Sequence, residues 1–251
     1  MNKLLFWLFI TSGTVVLLGS CAKKDESTTD EAAAATTTTT TTTTTAGDVA
    51  GSGTTASGTI EGNLDLTGTF HTSWKGLEPS GGCVDNSSAL SAHSYLASDT
   101  KSFKKMWIVT GTSSFTDSEV QYSDTGCTTM TAYFNKQADN VTIGSELTSL
   151  TAGSSPAFPT SANKVSYVVT KYSLMGNTSA TISSFASRFG VTVTSGEEMK
   201  VDESSPTTEY TILETGAMSG STKTYLYIND SSSADNLTDW VSDDRNTYWK
   251  E

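Results

Sequence analysis

Three cysteines, two histidines and several close pairs of acids are the residues through which this 251-residue chain could do chemistry. Neither Cys83 nor Cys127 lies in a Cys-x-x-Cys pair or beside a basic residue, so neither has the setting of a reactive or metal-binding thiol. His71 and His93 have no second His or Cys at metal-ligand spacing, which points to packing or surface roles. Asp230, Asp235, Asp239, Asp243 and Asp244 crowd the C-terminal stretch without the ligand order and glycine of a calcium loop, and read as a solvated acidic loop. Glu197 with Glu198, and Asp202 with Glu203, are sequence neighbours in Ser- and Gly-rich turns; on a strand such neighbours point to opposite faces. A Gly-x-Ser-x-Gly elbow and a phosphate-cradling loop are both missing from the sequence. These observations point to a protein that is not an enzyme, and they name no catalytic residue, metal or cofactor.

Cys21 has a different context. Lys3 is followed by an apolar run from Leu4 to Leu18, too short and too early for a stable spanning helix, which reads as a removable export signal. Leu18-Gly19-Ser20-Cys21 then resembles the lipobox of bacterial lipoproteins. The resemblance implies cleavage before Cys21, acylation of that residue, and anchoring by two or three acyl chains, enough to hold a protein stably at a membrane. Ala22, in place of the aspartate that retains some such proteins at the inner membrane, implies the outer membrane of a bacterial envelope.

Residues 1–20 are therefore the expected signal and residues 21–60 a linker. The linker carries an alanine run at 32–35, unbroken threonine at 36–45, and then small residues. Such side chains cannot compensate the entropy of ordering, and about 40 residues of flexible coil span roughly 35 Å. The net charge is −12, and one unit more negative without Lys3. An acidic chain repels phosphate backbones, so nucleic acid is not an expected partner.

From 61 to 251 aromatics return and apolar residues alternate with polar ones. Leu64, Leu66, Gly68 and Phe70 share a parity, and Phe103–Val109 and Ser118–Tyr122 are further strands. Cys127 opens the next strand, which runs to Phe134; Lys136–Asn140 reads as a turn and Val141–Ile143 as a short strand. Lys164–Tyr172 puts Val165, Tyr167 and Val169 on one face. Ile182, Phe185, Ala186 and Phe189 recur at helical spacing, with Thr178 or Ser179 to start a helix and Gly190 to end it. Val191–Thr194, Thr208–Leu213 and Thr224–Asn229 resume the strands. Short turns between consecutive strands favour antiparallel pairing. The prediction is a single all-β domain over 61–251, an antiparallel barrel of about eight or nine strands with one short helix.

With Cys21 assigned to lipid, Cys83 and Cys127 form an even pair in an oxidising compartment, and a disulfide between them is expected. It would tie the Ser- and Gly-rich stretch from Gly81 to Thr100 to the sheet, and by chain entropy contributes on the order of 4 kcal/mol.

Leu66-Thr67-Gly68-Thr69-Phe70 with Trp74 and Cys83, and Gln121-Tyr122-Ser123-Asp124-Thr125-Gly126-Cys127-Thr128, resemble an uncharacterised group of bacterial lipoproteins that is similar to lipocalin-like barrels. Phe70 stands where the lipocalin first strand carries tryptophan. The resemblance implies a barrel that could hold a small apolar or amphipathic molecule. Trp74, Trp107, Tyr133, Phe134, Tyr167 and Tyr172 could line such a pocket or simply fill the core, since a barrel of about eight strands can do either. The expected function is thus a membrane-anchored envelope lipoprotein that binds a small ligand without catalysis. The alternative is a filled barrel that recognises a protein or glycan through its loops.

Overall fold

Alternating strands close on themselves in the computed structural model, which describes residues 54–62, 64, 66–73, 77–93, 95–152, 157–229, 231–240 and 245–250. The expected signal, Cys21 and the threonine tract lie outside these residues. The strands are β1 (Thr59–Ile60), β2 (Leu66–Thr67), β3 (Thr69–Thr72), β4 (Ser102–Val109), β5 (Phe115–Tyr122), β6 (Met130–Thr148), β7 (Ser161–Gly176), β8 (Met199–Asp202), β9 (Thr208–Ala217), β10 (Thr224–Asn229) and β11 (Arg245–Lys250). Helix α1 is Ser87–Ala92 and α2 is Ser179–Phe189. The wall runs β3-β4-β5-β6-β7-β9-β10-β11 and returns to β3, antiparallel throughout, with β8 as an extra strand on β7. This is the single antiparallel barrel expected from the alternation.

One apolar cluster takes residues from all eight wall strands, among them Phe70, Trp107, Phe115, Ala138, Val165, Leu213, Leu226 and Tyr248. Only the inside of a closed barrel is reachable from every strand, so this cluster defines the interior. Ile60, Leu64 and Leu66 belong to it and are buried, so the β1–β2 pair plugs one end. That end is marked by the β4–β5 turn, where the Ser57 N–H donates to the Val109 carbonyl at 2.9 Å. The approach there is close: a Cβ on Gly58, at φ +72°, would stand 2.8 Å from the carbonyl carbon of Gly111.

The outer surface of the wall is covered as well. Ala56 packs against the cluster of Met106, Ile108, Val120, Tyr133 and Met175 on the outside of β4–β7, so packed chain begins upstream of Glu61. On the other side Tyr225, Tyr227, Ile212 and Trp249 meet Phe158 and Trp240, whose indole N–H donates to the Pro159 carbonyl at 2.7 Å. The two helices lie at the end opposite the plug. Thr178 caps α2 in a reciprocal arrangement with Thr181, and Gly190 ends it at φ 68°, as the sequence predicts.

Several local expectations are corrected. Lys136–Asn140 is no turn: β6 is continuous over 19 residues and passes Asn140, at φ +55°, as a bulge. Lys136 and Ala138 pair across the sheet with Asp117 and Phe115, which holds the segment extended. Cys127 does not open a strand but sits at φ +52° in the preceding turn. Val191–Thr194 forms no strand; Val193 instead anchors the chain against Phe185. Met199–Asp202, within the stretch read as acidic turns, pairs with Lys171–Leu174 as β8. The Gly81–Thr100 stretch holds α1, capped by the Asn86 side chain, which accepts from the amides of Ser88 and Ala89.

The register of β7 explains where the barrel is incomplete. β9 pairs with Asn163–Val168 and β8 with Lys171–Leu174, so residues 203–207 interrupt what would otherwise be one long strand. The other edge of β8 carries no strand among the described residues. The wall is therefore interrupted beside β8, at the helix end.

Candidate functional site

Inward parity extends beyond the apolar cluster. Residues two apart on a strand share a face, and so do directly opposed residues of an antiparallel pair. From Trp107 and Phe115 this parity leads toward the helices through Lys105, Asp117, Glu119 and Gln121. Across β6 it adds Phe134 and Lys136, and from Leu213 along β9 it reaches Glu209. The interior is thus graded, apolar at the plug and charged at the helix end.

Two clusters organise the charged half. In the first, Arg188 descends from α2 to place Nη1 3.6 Å from Glu119 Oε1. Its guanidinium is boxed by the rings of Tyr95 at 4.4 Å, Phe189 at 4.7 Å and Phe134 at 5.2 Å. Gln121 holds the carboxylate in place: its Nε2 donates to Glu119 Oε1 at 2.9 Å, while its Oε1 accepts from the Ala97 amide and the Thr100 hydroxyl. The Ser184 hydroxyl donates to the Tyr95 carbonyl at 3.2 Å, joining α2 to the segment after α1. Burial pushes the Glu119 carboxyl above its ordinary value against the opposing pull of Arg188, and burial followed by the Glu119 charge pushes Tyr95 up.

In the second cluster, Lys136 Nζ lies 3.2 Å from Glu209 Oε2, which also accepts from the Tyr167 hydroxyl at 3.1 Å and from the Ser231 hydroxyl. Burial, then the Glu209 charge, holds the Tyr167 hydroxyl well above its ordinary value. Lys136 and Glu209 keep 20% and 17% of their side-chain surface, and Lys105 and Asp117 are half-buried, so water reaches this part of the interior.

Asp117 and Trp107 face each other across β4 and β5. Asp117 makes no hydrogen bond or ion pair among the described residues. Trp107 is 2% exposed, stacks on Phe115 at 4.4 Å and meets the edge of Phe70, yet its Nε1–H has no hydrogen-bond partner among the described residues.

The residues singled out from the sequence fall in different places. The sulfurs of Cys83 and Cys127 are joined, with their Cα atoms 5.9 Å apart. Trp107 and Tyr167 line the interior, and Phe134 and Tyr172 stack at its charged end. Tyr133 faces outward, and Trp74 lies outside the described residues. His71 packs against Trp249; His93 packs against Phe103 and Tyr95, and burial, then Lys105, lowers its pKa to about 4, so the ring is neutral at pH 7. Asp235 pairs with Lys164, and the Asp239 carboxylate accepts from the amides of Thr151 and Trp240, so both acids tie down loops. Asp230, Asp243 and Asp244 are outside the described residues. Glu198 pairs with Lys200 and Asp202 with Lys171, while Glu203 accepts from the Ser205 amide.

Lys105, Asp117, Glu119, Lys136, Arg188 and Glu209 were not legible as a set. The signal that could have found them is β5, where Phe115, Asp117, Glu119 and Gln121 share one parity. Phe115 reveals that parity as inward only once the outer face is known to be covered too. No protein family matches the chain, and none of the curated proteins matches it. Chemically the set can screen and orient a polar group at the helix end of the interior. Among the described residues no three metal-ligating side chains come together.

Proposed function

We propose that this chain is a lipid-anchored envelope protein, held at the outer membrane through Cys21, whose barrel binds one small amphipathic ligand without transforming it. The observation that carries this reading is the partial exposure of Lys105 and Asp117 on the inward face of an otherwise buried interior. Charged side chains are seldom kept inside a core unless they are paired or meet water and solutes there. The interruption of the wall beside β8 supports an entry route to this charged half. The Thr-, Ala- and Ser-rich composition of residues 22–53 supports their reading as a linker between the lipid and the barrel.

The full chain purified from an oxidising compartment is expected to carry a stoichiometric small amphiphile, read by native mass spectrometry and solvent extraction. A bare chain that also fails to take up added amphiphiles would overturn the reading. Cys21→Ser is expected to abolish acyl labelling; undiminished labelling would remove the lipid anchor from the proposal.

A second reading has its own support. Ile60, Leu64 and Leu66 plug one end, and Trp107, Phe115 and Tyr167 pack in contact behind them, so the apolar half is largely filled. A filled barrel would act through its loops on a protein or glycan, and the bare-chain outcome would favour it.

A further inference from the structure

We infer that the interior ligand carries a protonated amine next to an oxygen acceptor, the amine held by Asp117 and the oxygen by the Trp107 indole N–H. This inference rests on the ligand-binding reading above and names the chemical class.

The acids Asp117, Glu119 and Glu209 and the bases Lys105, Lys136 and Arg188 face this part of the barrel, and they are not equivalent. Glu119 is engaged by Arg188 and Gln121, and Glu209 by Lys136, Tyr167 and Ser231. Those contacts commit Arg188 and Lys136 to carboxylates of the protein. Lys105 opposes Glu119 across β4 and β5 and lies 6.0 Å from the Tyr248 ring. Asp117 is the acid left over: Lys136 opposes it across β5 and β6, but the Lys136 ammonium goes to Glu209. An entering anion would compete with carboxylates already in place, whereas an entering ammonium meets one that has no ion pair.

The second observation is independent of charge. An unmet buried N–H costs about 1–3 kcal/mol, and the Trp107 indole is such a donor, 2% exposed and directly opposite Asp117. Opposed side chains on an antiparallel pair start from Cβ atoms about 5 Å apart. Side chains that start so close can reach one small molecule together, the carboxylate taking an amine and the indole N–H an oxygen on the adjacent carbon. The aromatic faces of this region favour a cation.

The test is equilibrium dialysis of the full chain, reconstituted in phospholipid nanodiscs with empty discs as the control. The probes are 1-amino-2-octanol, octylamine, octanoate and octanol. The expected order is amino alcohol tightest, then octylamine, with octanoate and octanol weaker by about tenfold or more. Asp117→Asn is expected to weaken both amines by about tenfold, and Trp107→Phe to bring the amino alcohol down to the level of octylamine. Octanoate binding as tightly as octylamine, or amine affinity unchanged in folded Asp117→Asn, would overturn the inference and leave the ligand-binding reading standing. Failure of all four probes to bind would overturn both. Should either variant fail to fold, the ranking of probes on the unaltered chain decides by itself.

Discussion

Arg188→Ala is expected to destabilise the fold by about 3 kcal/mol near neutral pH and by clearly less in acid. Arg188 sits against Glu119, a carboxylate that is 5% exposed, and its removal leaves that buried charge without its ion-pair partner, with only the Gln121 amide and the weaker pull of Lys105 to offset burial. The sign of the pH dependence follows from the direction of the Glu119 shift, which is upward and caused first by burial. A carboxyl raised in the folded state keeps its proton where the unfolded chain has lost it. Stability therefore falls as pH rises from the ordinary carboxylate value through the raised one. Arg188 opposes that rise, so its removal carries the folded value higher and widens the window in which stability is lost. Below the window Glu119 is protonated in both states, and only the packing of the guanidinium on Tyr95, Phe134 and Phe189 is missing. Denaturant unfolding of wild type and Arg188→Ala from acid to neutral pH measures the difference. A pH-independent loss would show that the ion pair contributes nothing beyond packing. Glu119→Gln in the Arg188→Ala background is expected to recover much of the neutral-pH loss.

Replacing Cys83 and Cys127 together by alanine is expected to lower the melting temperature by about 10 °C. The bridge spans a sequence separation of 44, for which chain entropy gives on the order of 4 kcal/mol, and a domain of this size shifts by about 2–4 °C per kcal/mol. The loss should fall on one side of the bridge. On the Cys127 side the turn is held independently. There the Asp124 carboxylate accepts from the amides of Gly126, Thr128 and Thr129; burial raises its pKa, but the Thr129 and Thr128 hydrogen bonds outweigh it and hold the carboxyl well below the carboxylate range. On the Cys83 side the stretch from 84 to 101 is fixed by the Val84–Phe103 bridge and by Ala89 packed with Phe103. Amide exchange should therefore quicken in α1 and around Tyr95 more than in residues 123–129. Because Tyr95 is one wall of the Arg188 box, the cysteine and Arg188 substitutions should couple rather than add. An unchanged melt would mean that the bridge is energetically idle.

Elements whose signals are local can be read from the residues alone. Alternation placed β4, β7, β9 and β10, and the Thr178 and Gly190 caps bounded α2, because these signals act within a few residues of backbone. Alternation misled where a strand is irregular: β6 looks broken at Lys136–Asn140 because a bulge resembles a turn until its partners are known. On β10 five consecutive residues are buried because both faces of the wall are covered, so the strand is found from sequence but its inward face is not.

The interior is set by long-range contacts. Asp117 and Glu119 on β5, Arg188 on α2 and Glu209 on β9 come from segments far apart in the chain, and barrel closure and strand register bring them together. Composition records that these charges exist. Which of them face inward depends on what covers the outside of the wall, a long-range property that no short window of sequence contains.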